Sequence, residues 1–212
     1  MKKKNETKMK ILKKNNIRFT HLVGVDEAGR GPLAGPVSVG VVVVPYGFDW
    51  DLIPGVGDSK RVSPKNREAI FRHTKILASQ HILDYCVILV PSHSIDTKGI
   101  TYTITYGIAQ AFKKLTLNTE TTQVLLDGLL KAPLSFRYQE TIIKGDVQEK
   151  VIGLASIMAK VTRDTYMKKI AQKYPDYGFE KHKGYGTKIH CASIKKFGPC
   201  VEHRRTFIQR IV

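Results

Sequence analysis

Along this chain short, strongly apolar runs alternate with stretches in which apolar residues return every three or four positions. Residues 20–28, THLVGVDEA, and 35–45, GPVSVGVVVVP, are rich in β-branched side chains and flank a glycine-containing segment, which predicts an antiparallel hairpin. The run VSVGVVVV at 37–44 reads as a buried strand and is far too short to cross a bilayer. Residues 63–80 predict a helix, with Ser63 as its N-cap and Pro64 at its first position. A strand over 81–90 follows and stops at Pro91. In 99–115 the residues Ile100, Ile104, Ile108 and Phe112 recur every four positions, so a helix is expected despite the threonines. Two further strands are expected over 121–128 and 140–146, then a long amphipathic helix over 147–174 in which Ala155, Ser156 and Ala159 permit close packing on a sheet. Strands with intervening helices imply an α/β layer structure with a mixed central sheet.

The acids are placed with more pattern than their number suggests. Asp26, Glu27, Asp127 and Asp146 each fall at or just beyond the predicted C-terminal end of an apolar strand. In open α/β sheets those ends form the rim where ligands bind. Asp-Gly and Gly-Asp are also common turn dipeptides, so any one of these coincidences is weak evidence. Asp26 and Glu27 are adjacent, and two touching carboxylates are unfavourable unless a cation or proton lies between them. Successive strand residues point to opposite faces, so the two converge only if the strand ends or bulges there, which Gly29 and Gly31 would allow.

Charge then narrows the partner. The 212 residues carry 35 Lys and Arg against 18 Asp and Glu, a formal net charge of +17, which is the footprint of a protein that binds a polyanion. In so basic a chain, a set of carboxylates is best explained by hard divalent cations, which take oxygen ligands together with water and phosphate. Two such ions suit hydrolysis of a phosphodiester by in-line displacement. The cysteines, Cys86, Cys191 and Cys200, are odd in number and show no metal-binding spacing, which points to a reducing, cytoplasmic setting. No apolar segment is long enough for a membrane. Residues 1–20 read as a basic arm, and 21–212 as one domain.

Seven motifs then occur in order: GVDEAGRGPLAGPV from Gly24, DSK from Asp58, LLDG from Leu125, KGD from Lys144, ASIMAKVTRD from Ala155, HKGYGT from His182 and HRRTF from His203. Together they closely resemble ribonuclease HII, the type 2 ribonucleases H. The resemblance covers nearly all of the chain from Val23 onward. It implies a ribonuclease H-like fold, a mixed sheet flanked by helices with a helical C-terminal portion. It also implies metal-dependent cleavage of RNA in RNA/DNA hybrids and incision of duplex DNA 5′ of a single embedded ribonucleotide, leaving 3′-hydroxyl and 5′-phosphate ends.

By the motif match, Asp26, Glu27, Asp127 and Asp146 correspond to the four metal-binding carboxylates, with Mg²⁺ or Mn²⁺ as cofactor and two ions expected with substrate bound. Gly29, Arg30 and Gly31 match the element that contacts the 2′-hydroxyl at the junction, and Tyr185 the tyrosine that packs on the following deoxyribose. A 2′-hydroxyl is the group that separates RNA from DNA, and an aromatic ring behind the next sugar would crowd a second one.

Ser59, Lys60, Lys160 and Arg163 are weaker candidates for nucleic-acid contacts, each equally readable as solvated surface charge. Asp164, deep in a predicted helix beside Arg163, suits an ion pair better than a metal. The resemblance implies a role in ribonucleotide removal, and a monomer is expected. The competing classes are a nonenzymatic nucleic-acid binder with the same basic surface and a nucleotide enzyme using GRGPLAG as a phosphate loop. The latter lacks the P-loop lysine and the G-x-G-x-x-G pattern.

Overall fold

The computed structural model describes residues 18–56 and 62–212. Residues 1–17 of the arm expected over 1–20, and with them Ser59 and Lys60, lie outside the described residues.

Strand β1 (His21–Ala28) pairs antiparallel with β2 (Val37–Pro45), forming the predicted hairpin, and β3 (Asp84–Val90) adds antiparallel to β2. On the other side of β1, β4 (Thr122–Asp127) and β5 (Gln139–Ile142) run parallel to it, so the order is β3-β2-β1-β4-β5. The helices are α1 (Pro64–Ser79), α2 (Ser92–Lys98), α3 (Ile100–Lys114), α4 (Gly145–Gln148), α5 (Lys150–Lys173), α6 (Phe179–His182), α7 (Lys188–Phe197) and α8 (Arg205–Ile208). Helix α1 is capped as expected, its Ser63 hydroxyl accepting the Asn66 N–H at 3.2 Å.

Alternation along the strands divides the core between two faces. Val37, Val39, Val41 and Val43 of β2, with Val23 and Val25 of β1, pack against Ile104, Ile108 and Phe112 of α3. Val42 and Val44 turn to the opposite face, against α1 and α5. Strand β2 is thus covered on both sides, which is why its sequence is continuously apolar.

Two glycines let α5 lie directly on the sheet. A Cβ on Gly24 would stand 2.2 Å from the Val151 carbonyl oxygen, and one on Gly40 would stand 2.4 Å from that of Ala155. No larger residue fits at either place, and the contact brings Ser156 up to the end of β1. The first half of α5, from Val151 to Ala159, is buried all round between the sheet and α1, where an amphipathic helix was expected.

The expected boundaries differ at one functional point. Strand β5 stops at Ile142, Lys144 takes a left-handed conformation with φ 57°, and Asp146 sits in the helical turn α4, not at a strand end. Helix α5 then begins at Lys150, three residues later than the pattern predicts. Beyond it, the turn Pro175–Tyr177 and helices α6, α7 and α8 gather Tyr177, Phe179, Ile194 and Ile208 around Met167, Ile170 and Ala171 of α5. This third cluster also holds Ala34, so it forms the floor beneath residues 29–36.

Candidate active site

The β1–β4 ladder ends at the pair Val25–Leu126, and the next residues on the two parallel strands are Asp26 and Asp127. Asp26 pairs with Gly40 and shares its face with α5, where the Ser156 hydroxyl hydrogen-bonds its carboxylate. Only 5% of Asp26 is exposed. Burial, reinforced by the charges of Glu27 and Asp127, pushes its carboxyl up to about 8 against the pull of Ser156 and the Glu27 N–H. Glu27 is raised too, by burial first and by Asp127, against the opposing pull of Arg30.

Of the two ways expected for the acids to converge, a strand end or a bulge, the structure shows the first: β1 stays paired with β2 only through Ala28, one residue beyond Glu27, and Glu27, opposite Val39, starts on the α3 face. Its Oε1 meets Arg30 Nη1 at 3.2 Å. Asp127 Oδ1 accepts the Gly145 N–H at 2.7 Å, which places buried Asp146 one residue away. Three of the four expected acids thus interact, and the fourth is tied to them through Gly145. Among the described residues no three acid, His or Cys side chains close into a metal cage. The donor chemistry nevertheless fits a hard cation: oxygen-only groups at a sheet rim, one of them a carboxyl whose ionisation is disfavoured by burial first and by its acidic neighbours, a cost that positive charge would offset.

The glycine turn is built from inside. Gly29 has φ 88°, and a Cβ there would stand 2.0 Å from Arg163 Nε. The Gly31 Cβ direction is open. Arg163, expected as a surface contact for nucleic acid, is fully buried. Its Nε donates to the Pro36 carbonyl at 2.8 Å, its Nη2 to Ala34 at 3.0 Å and its Nη1 to Lys183 at 3.0 Å. This corrects the expectation, since a guanidinium committed to these carbonyls has no face for a phosphate. Arg204 is also fully buried and donates to the carbonyls of Gly29, Arg30, Gly35 and Pro36. Burial and the nearby charge of Arg163 push its guanidinium down to about 9. Residues 33–35 also pair with 202–204, through Gly35 N–H to Glu202 and Arg204 N–H to Leu33, both at 2.8 Å.

Tyr185 lies on the adjacent loop, 45% exposed, as its flanking glycines suggest. Its carbonyl is held by a run of imidazoles. The Cys200 N–H donates to His203 Nδ1 at 3.0 Å, so His203 carries its proton on Nε2. That proton points to His190 Nε2 at 3.1 Å, which leaves His190 Nδ1 to donate to the Tyr185 carbonyl at 2.9 Å. Lys160 Nζ lies 6.0 Å from the Tyr185 ring centroid and 2.8 Å from Asp164 Oδ1. Asp164 is therefore an ion-pair residue on α5.

The sequence reading missed the roles of Arg204, His190 and Ser156. For Arg163 a signal existed. It falls in the buried stripe Ser156, Ala159, Arg163, Met167, Ile170 of α5, a position that solvated charge rarely takes.

An acid-rimmed mixed sheet with a long helix on one face and a helical C-terminal region is the architecture of the ribonucleases H, endonucleases that act on the RNA of RNA/DNA hybrids. A family profile described as Ribonuclease HII matches residues 23–210, and the chain belongs to that family. It is 46% identical over 193 residues to Ribonuclease HII of Endomicrobium trichonymphae, covering 91% of this chain and 87% of that one. The crystal structure of ribonuclease H2 from Pyrococcus horikoshii OT3 superposes with a TM-score of 0.71 at 29% identity, over 90% of this chain and 96% of that one. Bst-RNase HIII in complex with Mn²⁺ shares the fold at a TM-score of 0.64 and 17% identity, over 87% of this chain and 65% of that one. Among the described residues no helix is long and apolar enough to cross a membrane.

Proposed function

We propose that within ribonuclease H activity this chain incises duplex DNA 5′ of a single embedded ribonucleotide as well as cleaving longer hybrids, and so serves ribonucleotide removal from DNA. The observation that carries the reading is the adjacency of the coupled acids Asp26, Glu27 and Asp127 to a turn whose backbone is locked from beneath by Arg163 and Arg204. Asp26, Glu27, Asp127 and Asp146 would hold Mg²⁺ or Mn²⁺, two ions with substrate bound, which would supply an activated water and offset charge on the leaving oxygen.

The chain's own groups do the rest. Ser156 orients the Asp26 carboxylate, and the Gly145 N–H orients that of Asp127. Gly29, Arg30 and Gly31 present main-chain groups to the 2′-hydroxyl, and the open side of Gly31 admits a sugar. Tyr185 packs on the next deoxyribose, with Lys160 beside its ring available to a phosphate. Water adds to phosphorus as the bond to the 3′-oxygen breaks, and that oxygen leaves as the 3′-hydroxyl. Catalysis resides in residues 21–212, acting as a monomer.

The test is a cleavage assay on three labelled duplexes, all DNA, DNA with one ribonucleotide, and RNA/DNA hybrid, each with Mg²⁺, Mn²⁺ or EDTA. A metal-dependent nick just 5′ of the lone ribonucleotide is expected. Cleavage of the hybrid alone would remove the junction role from Arg30 and Tyr185.

A further inference from the structure

We infer that Arg163 is a positioning residue whose guanidinium sets the separation between the turn 29–31 and Tyr185, and through it the preference for an RNA–DNA junction over continuous RNA. This rests on the proposed junction reading of those two elements. The turn and the tyrosine belong to loops more than 150 positions apart in sequence, so no local bond fixes their spacing. Arg163 bonds both loops from below: Nε and Nη2 reach Pro36 and Ala34 on the first, and Nη1 reaches Lys183, two residues before Tyr185, on the second. The loops also meet above the guanidinium, where the Leu33 N–H donates to the Gly184 carbonyl at 2.8 Å.

A guanidinium suits this task because its donors leave in fixed directions from one plane, so bonding three carbonyls fixes their relative positions. An ammonium on a flexible stem has no fixed spacing to impose. Gly29 adds that the turn itself rests on this group, since any Cβ there collides with Arg163 Nε. The far ends are held by Arg204, which bonds Gly29 and Arg30, and by His190, which bonds Tyr185 and meets His203 beside Arg204. Arg163 is thus the side chain that bonds both loops at once, next to the single main-chain bond between Leu33 and Gly184.

The experiment compares the ratio of single-ribonucleotide incision to long-hybrid cleavage, with KM and kcat for each, in wild type, Arg163→Lys, Arg163→Ala with and without methylguanidinium, Gly184→Ala and Tyr185→Ala. A role confined to packing lowers both activities together and leaves the ratio alone. Because displacement by about 1 Å can reduce catalysis by up to about 10²-fold, Arg163→Lys is expected to lower the ratio about tenfold. Methylguanidinium is expected to restore it in Arg163→Ala.

Gly184→Ala retains the Arg163 side chain but inserts a Cβ 2.4 Å from the Ala34 carbonyl oxygen, backbone against backbone, forcing the same loops apart. Its ratio is expected to fall by about twofold, and it decides the matter alone if the Arg163 variants do not fold. An unchanged ratio in folded Arg163→Lys or in Gly184→Ala, with a changed one in Tyr185→Ala, overturns the inference and leaves the junction reading standing. If Tyr185→Ala keeps the wild-type ratio, the reading fails and the inference falls with it.

Discussion

His190 and His203 face each other through their Nε2 atoms at 3.1 Å in a fully enclosed site, and only one proton occupies that contact. Burial, with the charge of His182 acting on His190 and that of His190 acting on His203, pushes both imidazoles down to about 4, from an ordinary 6.5. The unfolded chain therefore takes up protons first as pH falls. The stability this pair contributes is complete above about pH 6.5 and is lost towards pH 4, at up to about 1.4 kcal/mol per pH unit for each ring. Asp26 titrates with the opposite sign, so the measurement belongs in Asp26→Asn. Its melting temperature is expected to fall steadily between pH 6.5 and 4.5, and a flat profile would contradict the neutral pair.

The Asp26→Asn variant carries its own expectation. With its carboxyl raised to about 8, Asp26 is unfavourable to ionise in the folded protein, so stability falls as pH rises from 3.8 through about 8. Replacing it with Asn is expected to stabilise the metal-free protein at pH 8.5 by about 2 kcal/mol, raising the melting temperature by roughly 4–8 °C while cleavage is lost. A lower melting temperature would show that the charge is accommodated after all.

Asp127→Asn keeps the shape of a group that accepts the Gly145 N–H but removes its charge. On the proposed reading a metal-holding carboxylate is lost, so cleavage is expected to fall at least about 10³-fold, while hybrid binding stays measurable by fluorescence anisotropy. Full activity would remove the residue from the site.

Arg30 competes for Glu27. The pair is short but its arginine is largely exposed, so it contributes little, at most about 1 kcal/mol. Arg30→Ala is therefore expected to tighten Mn²⁺ binding up to about fivefold in calorimetry, while weakening incision at the ribonucleotide. Weaker metal binding in the variant would show that Arg30 supports the acids and does not compete with them.

Gly24 and Gly40 have no tolerance for a side chain. Gly24→Ala places a methyl group against the Val151 carbonyl at 2.2 Å, and the helix must lift from the sheet to admit it. A loss of about 3 kcal/mol is expected in urea denaturation, and a loss under about 1 kcal/mol would show that the helix yields easily.

How much of this was legible in the sequence depends on how local the cause is. The hairpin of β1 and β2, the Ser63 cap and the α3 stripe follow from neighbouring residues and were readable. The turn that carries Asp146 was not, because Lys144 adopts φ 57° next to the Gly145–Asp127 bond, a long-range contact that no propensity records. Four acids were legible as candidates, but that Glu27 pairs with Arg30 while Asp127 binds Gly145 depends on a strand end seen only in three dimensions. The buried arginines were least legible. Arg163 and Arg204 stand among 35 basic residues; the stripe of α5 marks Arg163, whereas Arg204 is told from surface charge by its carbonyl partners between Gly29 and Pro36.

Helix α5 reaches the acids through Ser156 and the two loops through Arg163, seven positions later. Seven residues make nearly two full turns, so both side chains leave the same side of the rod, about 10 Å apart along its axis. The helix is in this sense a caliper with one jaw at the carboxylates and the other at the recognition loops. On the proposed reading, the offset between the bond that is cut and the sugar that is inspected is set by helical pitch. Inserting or deleting one residue between the jaws would swing one of them through about 100° and disconnect inspection from cutting.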